Sequence, residues 1–450
     1  MLMTTIKPEP FNETYHFDRL EFQDQESPDK TIQIDQEIEL TIKRASETGK
    51  LLLSAINLND LDFIQIVLHP LYAQNRIFNI GTETKYLNII GTDTITHKII
   101  KINATSFGFN IDEINSVKVT DEEKTSITEH RDHYLYKNSQ LSMVLCSSSI
   151  DIKGIDYPFT ICYESIKDAP HNLDCVSLAY SVANDRFPAE EIQDYHMHII
   201  SFLFGCPLTN FGYSRYNDSG NVIETYVISP RYETIQMSLN LSYPPIKYEK
   251  LSASQIQEIF NPIIVNYRNL DLSIYHDYIK ALLRRFWESH LLYLDYKFHL
   301  IVSGLDVFMR FWSQQNSVNL NPKEIISNDI FDTEFVPYIK IIKKNISRRN
   351  DISKDERDKL YRNIGELNKD RKTTKLEKMY AGVGLPLTPN EVKILRLRGE
   401  MMHEKPFICD GEVDAYVDYY HDAVTLCNRS LLKLLDYTGD YIDYRQKWKR

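Results

Sequence analysis

The chain has 450 residues, 42% of them apolar and 12% aromatic, so it can bury the cores of two or three domains. Its net charge of −11 argues against a protein that coats nucleic acid along its whole surface. Residues 1–17 lack the apolar run of a secretory signal, and no window approaches a membrane span of about 18 uncharged apolar residues. We therefore expect a soluble cytoplasmic protein with no membrane partner.

The six cysteines contain no C-x-x-C pair. Their spacing indicates neither a disulfide framework nor a zinc site, and buried, reduced thiols are the expected state. We expect no cofactor and no metal.

The first part of the chain, residues 1–185, has the pattern of a β-rich domain. Apolar residues alternate with polar ones from Thr31 to Ile42 and again from Ile95 to Ile102, as in half-buried strands. Further short apolar runs are separated by Asn, Asp, Gly and Ser clusters; they are Phe63–Leu68, Tyr86–Ile90, Leu141–Cys146 and Phe159–Tyr163. This pattern predicts an antiparallel sandwich or a barrel-like domain.

Residues 186–245 have a different pattern, which predicts a small α/β linker unit belonging to the N-terminal region. Pro188 stands at a helix start, and the following apolar residues have the spacing of one helix face. Beyond the helix, the turn sequence from Asn217 to Asn221 separates two apolar runs, so we expect a hairpin packed on this helix.

From residue 246 to residue 450 the apolar period is helical, which predicts an all-α domain. Ser252 or Ser254 can cap a helix that ends near Leu270, and Asp271 can cap one long helix or a closely joined pair. Later prolines and glycines divide the remainder into shorter helices, the last of which runs to about Leu435. The whole chain is then an α+β multidomain protein with a C-terminal helical bundle.

One helix of this bundle carries the candidate catalytic motif. The sequence Thr388-Pro-Asn-Glu391 has the form of a capping box, so a helix should start there and stop near Pro406. Within it lie Arg398 and His403, with four residues between them. The same spacing occurs at Arg285 and His290, but the flanks of that copy are those of a core helix, so we interpret His290 as structural.

The region around Arg398 and His403 resembles the Arg-x4-His motif of HEPN domains, which lies in an all-helical region before a final long helix. Asp306 follows a small-apolar run, where HEPN relatives often have an acidic residue. The order of β-rich region, helix and hairpin is similar to that of bacterial ApeA-like anti-phage proteins. Relatives commonly have a polar residue after the Arg; this chain departs from that pattern, because Gly399 supplies no side chain there.

The resemblance implies a metal-independent endoribonuclease that acts in anti-phage defence. The ribose 2′-hydroxyl would attack the adjacent phosphate, with His403 shuttling protons and Arg398 stabilising the phosphorane charge. The two residues are about 140° apart around a straight helix. One regular helix would therefore not aim both side chains at one phosphate. The resemblance implies a homodimer formed by the C-terminal helical domain, in which the motifs of the two chains face each other. The N-terminal domain would act as a sensor or regulator that responds to a phage-derived or regulatory trigger.

Two auxiliary residues and a set of RNA-binding residues complete the candidate site. Asp306 could orient Arg398 or His403, or pair with Arg310, and Glu400 could assist or be solvated. Residues 338–405 contain 18 Lys and Arg against 10 Asp and Glu, a local excess that suits an anionic partner. We expect RNA, of a class that the sequence does not identify, to bind there through Arg348, Arg349, Arg371, Lys372 and Arg396. The alternative is that these charges solvate exposed helices and pair with Asp355, Glu356, Asp358 and Asp370.

Two histidine pairs suggest metal ligands, but neither has the right setting. His196 and His198 lie on a predicted helix, where side chains two residues apart diverge. His130 and His133 lie in an expected polar loop without a third ligand at matching spacing. A different class of function also remains open, namely a non-catalytic HEPN-like module that assembles with partners or binds nucleotide.

Overall fold

The structure is a computed structural model. It describes the backbone of residues 12–25, 27–44, 51–55, 84–107, 110–121, 126–136, 141, 144–146, 148–164, 174–182, 187–229, 242–318, 326–349, 351–365, 367–368, 375–403 and 413–447. The predicted strand at Phe63–Leu68 lies outside these residues. Among the helices of the described residues, none combines the length and the apolar character that crossing a bilayer needs.

Twelve strands of the described residues form one antiparallel sheet, in the order β3-β2-β1-β4-β5-β6-β12-β11-β7-β10-β9-β8. The strands are β1 Asn12–Asp24, β2 Ser27–Arg44, β3 Leu51–Ala55, β4 Thr84–Thr92, β5 Ile99–Phe107, β6 Asn110–Thr120, β7 Ile127–Tyr136, β8 Ile150–Ile152, β9 Phe159–Glu164, β10 Asp174–Ser181, β11 Thr209–Asn217 and β12 Val222–Ile228. Residues Leu51 and Ile114 also pair β3 with β6, so the first six strands close on themselves. The predicted antiparallel β region is thus confirmed.

The closed part of the sheet has an apolar interior that follows from the alternating sequence. Ile38, Leu40 and Ile42 of β2 are all buried, and they join a cluster that includes Phe17 and Phe22 of β1. Because side chains alternate between the faces of a strand, every second residue of β2 points inward. The alternation predicted at Ile38 to Ile42 is therefore confirmed.

The predicted hairpin is confirmed as β11 and β12, but it does not form a separate small unit with the preceding helix. Strand β12 pairs with β6, and β11 pairs with β7, so the hairpin lies inside the large sheet. Periodicity along the chain cannot show this, because both pairings join residues far apart in sequence.

Two other interpretations of the N-terminal region are wrong. The expected loop at His130 to His133 lies in β7, which pairs with β10 on one side and β11 on the other. The predicted strand Leu141–Cys146 is helical at its described residues 141, 144 and 145. A short apolar run does not distinguish a strand from a helical turn, and polar residues in a central strand lack the usual apolar signal.

Helix α1, Glu190–Phe204, confirms the helix predicted after Pro188. It ends at Gly205, which adopts a left-handed conformation with φ of 71° and donates to the carbonyl of Phe202. A Cβ on Gly205 would lie 2.0 Å from the backbone nitrogen of Pro244, so the close approach of these segments requires glycine.

Helices α2 Ala253–Asn269 and α3 Leu272–Ser289 follow, as predicted. Ser252 and Gln255 cap α2 reciprocally, and α3 and the next helix form the closely joined pair. The helices described beyond these are α4 Leu294–Gln315, α5 Asn328–Glu334, α6 Val336–Ser347, α7 Lys354–Gly365, α8 Lys375–Gly382, α9 Pro389–His403, α10 Val413–Leu434 and α11 Tyr444–Lys447. The predicted helical C-terminal region is confirmed; its identity as a HEPN bundle stays a prediction.

The chain forms two compact units. The first comprises Met1–Tyr293 and Asn428–Arg450, and the second comprises Leu294–Cys427, so one boundary falls within α10. In the second unit α8 packs on α4, and α9 contacts both. The boundaries of these units differ from those of the predicted domains, which are residues 1–185, 186–245 and 246–450. Which segments fold on their own stays a prediction.

Candidate functional site

Helix α9 begins as the capping box predicts. The backbone nitrogen of Thr388 donates to the Glu391 carboxylate over 2.7 Å, and the Glu391 nitrogen donates to the Thr388 hydroxyl over 3.2 Å. Glu391 is only 3% exposed, and Ile394 and Leu395 are buried one turn later. The start of the helix is therefore fixed both by its cap and by packing within the second unit.

The candidate catalytic residues Arg398 and His403, and the auxiliary Glu400, lie on the backbone of this same helix. Their side chains lie outside the described residues. Because α9 is one continuous helix, Arg398 and His403 are separated by about 140° around its axis, as expected from their spacing in the sequence.

Asp306 lies on α4 and is 6% exposed. Its two oxygens accept hydrogen bonds from Nε and Nη2 of Arg310, each over 3.1 Å. Of the two roles left open for Asp306, the pairing with Arg310 is present. Its orientation of Arg398 or His403 stays a prediction.

The second Arg-x4-His copy has the structural setting that we expected. His290 follows the last residue of α3, and its Nδ1 lies 2.7 Å from the carbonyl oxygen of Phe286. Its ring lies 4.3 Å from the ring of Tyr243 and 5.0 Å from that of Phe286, measured between centroids. His290 therefore serves the end of α3 and the packing around it.

The predicted RNA-binding residues differ in their surroundings. Arg348 is exposed at the end of α6, whereas Arg349 binds both carboxylate oxygens of Asp351 over 2.8 and 2.5 Å. Arg396 of α9 binds Glu377 of α8 through Nε and Nη2. Arg371 and Lys372 lie outside the described residues. Two of these five basic residues thus have acidic partners, although neither partner is one of the four acids that the solvated alternative names.

Helices α6 and α7 carry exposed basic residues in the second unit. Lys340, Lys344 and Arg348 are exposed on α6 or at its end, and Lys359 and Arg362 are exposed on α7. No residue of α6 is buried. Cations of this kind retain their hydration until an anionic ligand displaces it, so the surface suits phosphate groups.

A second polar cluster lies in the first unit, between α1 and α3. Oδ2 of Asp194 lies 3.1 Å from Nε2 of His276 and 2.7 Å from Nζ of Lys280. Nδ1 of His198 lies 2.7 Å from the carbonyl oxygen of Asp194 and 3.3 Å from Oδ1 of its carboxylate. On the far side, Nδ1 of His276 lies 2.9 Å from the hydroxyl of Tyr267.

The electrostatics of this cluster favour an ionised carboxylate beside a neutral imidazole. Burial alone would raise the pKa of Asp194, but hydrogen bonds from His276 and Lys280 outweigh it and hold that pKa well below its usual range. Burial lowers the pKa of His198, although the nearby Asp194 opposes this shift. Near neutral pH the cluster therefore contains an anion and an imidazole lone pair, both of which can bind a cation.

The sequence pattern indicated His196 and His198 but not Asp194 or His276. The structure places His196 elsewhere: it is fully buried, with its Nδ1 3.2 Å from the hydroxyl of Tyr180. The divergence predicted for the His196 and His198 pair is thus confirmed. The four-residue spacing of Asp194 and His198 on a helix was a usable signal, whereas no sequence spacing indicates His276.

No family model, no curated protein and no solved structure matches this chain. The resemblance to HEPN domains therefore rests on the sequence motifs alone.

Proposed function

We propose that the chain is a metal-independent endoribonuclease of the HEPN type that acts in anti-phage defence. Arg398 and His403 are its catalytic residues, and a homodimer through the helical C-terminal region is its active form. The N-terminal β region acts as the sensor of the trigger or as a regulator of the ribonuclease. The part in defence and the sensor role rest on the resemblance to ApeA-like proteins.

The observation that supports this proposal most is the continuity of α9. The helix has a fixed start at Thr388 and Glu391, buried residues in its middle, and Arg398 and His403 near its end. A helix anchored in this way gives the backbone of each residue a fixed position in its own chain, which a positioned catalytic group requires. The exposed basic surface of α6 and α7 in the same unit suits an RNA backbone.

The chemistry assigned to the two residues follows from their side chains. Imidazole has an ordinary pKa near 6.5, so His403 can take the 2′-hydroxyl proton and return a proton to the leaving 5′-oxygen. Arg398 stays charged and can donate two hydrogen bonds to phosphate oxygens in the transition state. Because the two residues diverge around α9, His403 of one chain would act with Arg398 of the second chain.

The direct test is cleavage of RNA by the purified full chain in excess EDTA. We expect products with 2′,3′-cyclic phosphate ends, and a loss of rate of about 100-fold or more in Arg398→Ala and in His403→Ala. The matched controls are Arg285→Ala and His290→Gln, which alter the second copy of the same spacing and should cleave at the wild-type rate. A mixture of the two inactive variants should regain activity, because a mixed dimer contains one intact pair across its interface.

Cleavage that needs a divalent metal would contradict the mechanism. Wild-type rates in both Arg398→Ala and His403→Ala would contradict the assignment of the site. Circular dichroism of each variant separates loss of chemistry from loss of fold.

A non-catalytic assembly module is the second candidate, and one observation favours it. Helix α6 exposes Tyr338, Ile341 and Ile342, at 68%, 56% and 46% of their full accessible areas, which is unusual for a surface that meets only water. This candidate predicts self-association or partner binding that continues unchanged in Arg398→Ala and His403→Ala, together with no RNA cleavage by the wild type.

A further inference from the structure

The cluster of Asp194, His198 and His276 has the composition and spacing of a metal site. One carboxylate oxygen and one nitrogen of each imidazole all lie within 4.8 Å of one another. Nε2 of His276 and Oδ2 of Asp194 are 3.1 Å apart. Two ligand atoms on one tetrahedral zinc ion, each about 2.0–2.1 Å from it, are about 3.3 Å apart. These two atoms are therefore already at the distance that a shared ion needs.

The two histidines are also held from behind, as metal-bound histidines usually are. Nε2 of His276 donates to Asp194 when no ion is bound. When an ion takes Nε2, the proton moves to Nδ1, and the hydroxyl oxygen of Tyr267, 2.9 Å away, can accept a hydrogen bond from it. Nδ1 of His198 donates to the carbonyl oxygen of Asp194 one helical turn before it, which leaves the lone pair on Nε2. Nδ1 of His198 lies 3.3 Å from Oδ1 of Asp194, so this ring lies beside the carboxylate, and metal binding through both Nε2 atoms would keep the contacts of both Nδ1 atoms.

Lys280 is the group that competes with a metal ion. Its ammonium lies 2.7 Å from Oδ2 of Asp194, the same oxygen that faces His276. The Lys280 side chain is 46% exposed, so it can turn into solvent at little cost when a doubly charged ion takes its place. The Asp194 carboxylate can therefore bind either the Lys280 ammonium or a metal ion, but not both at once.

We propose that Asp194, His198 and His276 bind a zinc ion that joins α1 to α3, and that the ion displaces Lys280 from Asp194. Zinc suits this donor set because it accepts both imidazole nitrogen and carboxylate oxygen in a tetrahedral arrangement. Three protein ligands leave the fourth position to water. This zinc is separate from the proposed RNA cleavage, which uses no metal and other residues.

The ion would link two elements that come from distant parts of the sequence. Asp194 and His198 lie on α1, which follows strand β10 in the chain, and His276 lies on α3. Coordination adds a cross-link between these helices that the unfolded chain lacks, so zinc should stabilise the first unit.

The test uses the full chain with any histidine tag removed, stripped with EDTA and dialysed against buffered zinc. We expect one zinc per chain in the wild type, and the same content in His97→Asn, a control that changes an exposed histidine. Asp194→Asn, His198→Gln and His276→Gln should each lose the bound zinc. Cobalt(II) in place of zinc should give the strong visible absorption of tetrahedral coordination in the wild type and not in these three variants.

Two further variants distinguish a metal site from a merely structural cluster. Tyr267→Phe should weaken zinc binding about tenfold, because it removes the outer partner of His276. Lys280→Met should strengthen zinc binding by about two- to fivefold, the equivalent of an exposed ion pair. Lys153→Met, which removes another exposed lysine beside an aspartate, should leave the affinity unchanged.

Wild-type zinc content in the three ligand variants would overturn the proposal, as would a wild-type chain that binds no zinc. If Lys280→Met and Lys153→Met bind zinc with equal affinity, the proposal that the ion displaces Lys280 is wrong. A gain of affinity cannot arise from misfolding, so the Lys280 variant keeps the proposal testable even where a ligand variant folds poorly. RNA cleavage in EDTA is measured separately, and either proposal can fail without the other.

Discussion

Helices α2 and α6 have similar amphipathic sequences and opposite surroundings. Along α2, apolar side chains on one face are fully buried; they are Ile256, Phe260, Ile263, Ile264 and Tyr267. Along α6, no side chain is buried, and Tyr338, Ile341 and Ile342 are at least 46% exposed. Helix α2 also binds the sheet, since Gln257 and Asn261 accept hydrogen bonds from backbone nitrogens at Asp151 and Lys153.

The comparison shows that an apolar stripe indicates a helix without indicating what covers it. A helix of 12 residues such as α6 is marginal by itself in water, so its stability must come from packing on α5 and α7 within the second unit. Helix α2 instead gains most from the residues that it buries. We therefore expect substitutions on the two apolar faces to differ widely in their effect on the free energy of unfolding.

The largest effect is expected for Phe260→Ala in α2. Phe260 is 0% exposed and lies between Tyr248 and Phe204, with ring centroids 5.6 and 6.4 Å away. Removing a buried aromatic ring leaves a cavity and should lower the free energy of unfolding by about 3–5 kcal/mol. Urea unfolding of the full chain measures it. A loss below about 1 kcal/mol would mean that the face of α2 is far less enclosed than the structure shows.

The same contrast between enclosed and exposed groups applies to charges, and Glu224 of β12 tests it. Burial alone would raise the pKa of Glu224, but hydrogen bonds from Lys118 and Tyr213 and the charge of Arg215 lower it below its ordinary value of 4.5. Because the pKa of Glu224 is lower in the folded chain than in the unfolded chain, its ionised carboxylate stabilises the fold at pH values above the unfolded-state pKa. This stabilisation is lost as the pH falls through the folded-state pKa. We expect Glu224→Gln to cost about 1–2 kcal/mol at pH 7 and progressively less as the pH falls below 4.5.

The matched control for Glu224 is Asp351→Asn. A hydrogen bond from Arg349 lowers the pKa of Asp351 to about 2, yet the Asp351 side chain is 62% exposed against 9% for Glu224. Solvent screens an exposed pair, so the loss of Asp351 should leave urea unfolding at pH 7 unchanged. Equal costs for the two substitutions would show that exposure does not decide the effect of these carboxylates.

Much of the helical part could be predicted from sequence because its signals are local. Ser252 with Gln255, and Thr388 with Glu391, lie within four residues of each other, and both predicted helix starts are confirmed. The pairing of β12 with β6 and the closure of β3 on β6 join strands that are far apart in the chain, and no local pattern determines them. The placement of the hairpin in the large sheet was missed for this reason.

The candidate sites divide in the same way. Arg398 and His403 could be proposed because they share one helix, whose predicted start is confirmed and whose described residues run to His403. The zinc site could not, because His276 meets Asp194 only through the packing of α1 and α3. Burial also changed the expectation for His130, which is 1% exposed and bound to Asp132 in β7 rather than lying in a polar loop.

A smaller effect is expected for Thr388→Ala at the start of α9. The Thr388 hydroxyl accepts a hydrogen bond from the backbone of Glu391, and loss of an N-cap side chain typically costs about 1 kcal/mol. Thr388→Ser is the control, since it keeps the hydroxyl and should unfold in urea as the wild type does. If Thr388→Ala also unfolds as the wild type does, the burial of Ile394 and Leu395 alone fixes the start of this helix.

The smallest effect is expected for Ile341→Ser in α6, the counterpart of Phe260 in the comparison. Ile341 is 56% exposed, so the substitution removes little buried apolar area and should change the free energy of unfolding by no more than about 0.5 kcal/mol. The measurement is urea unfolding at two protein concentrations a hundredfold apart. An effect that is near zero at the low concentration and grows at the high one would mean that a second chain covers α6. A large effect at both concentrations would instead place Ile341 inside its own chain, and the contrast between α2 and α6 would then fail.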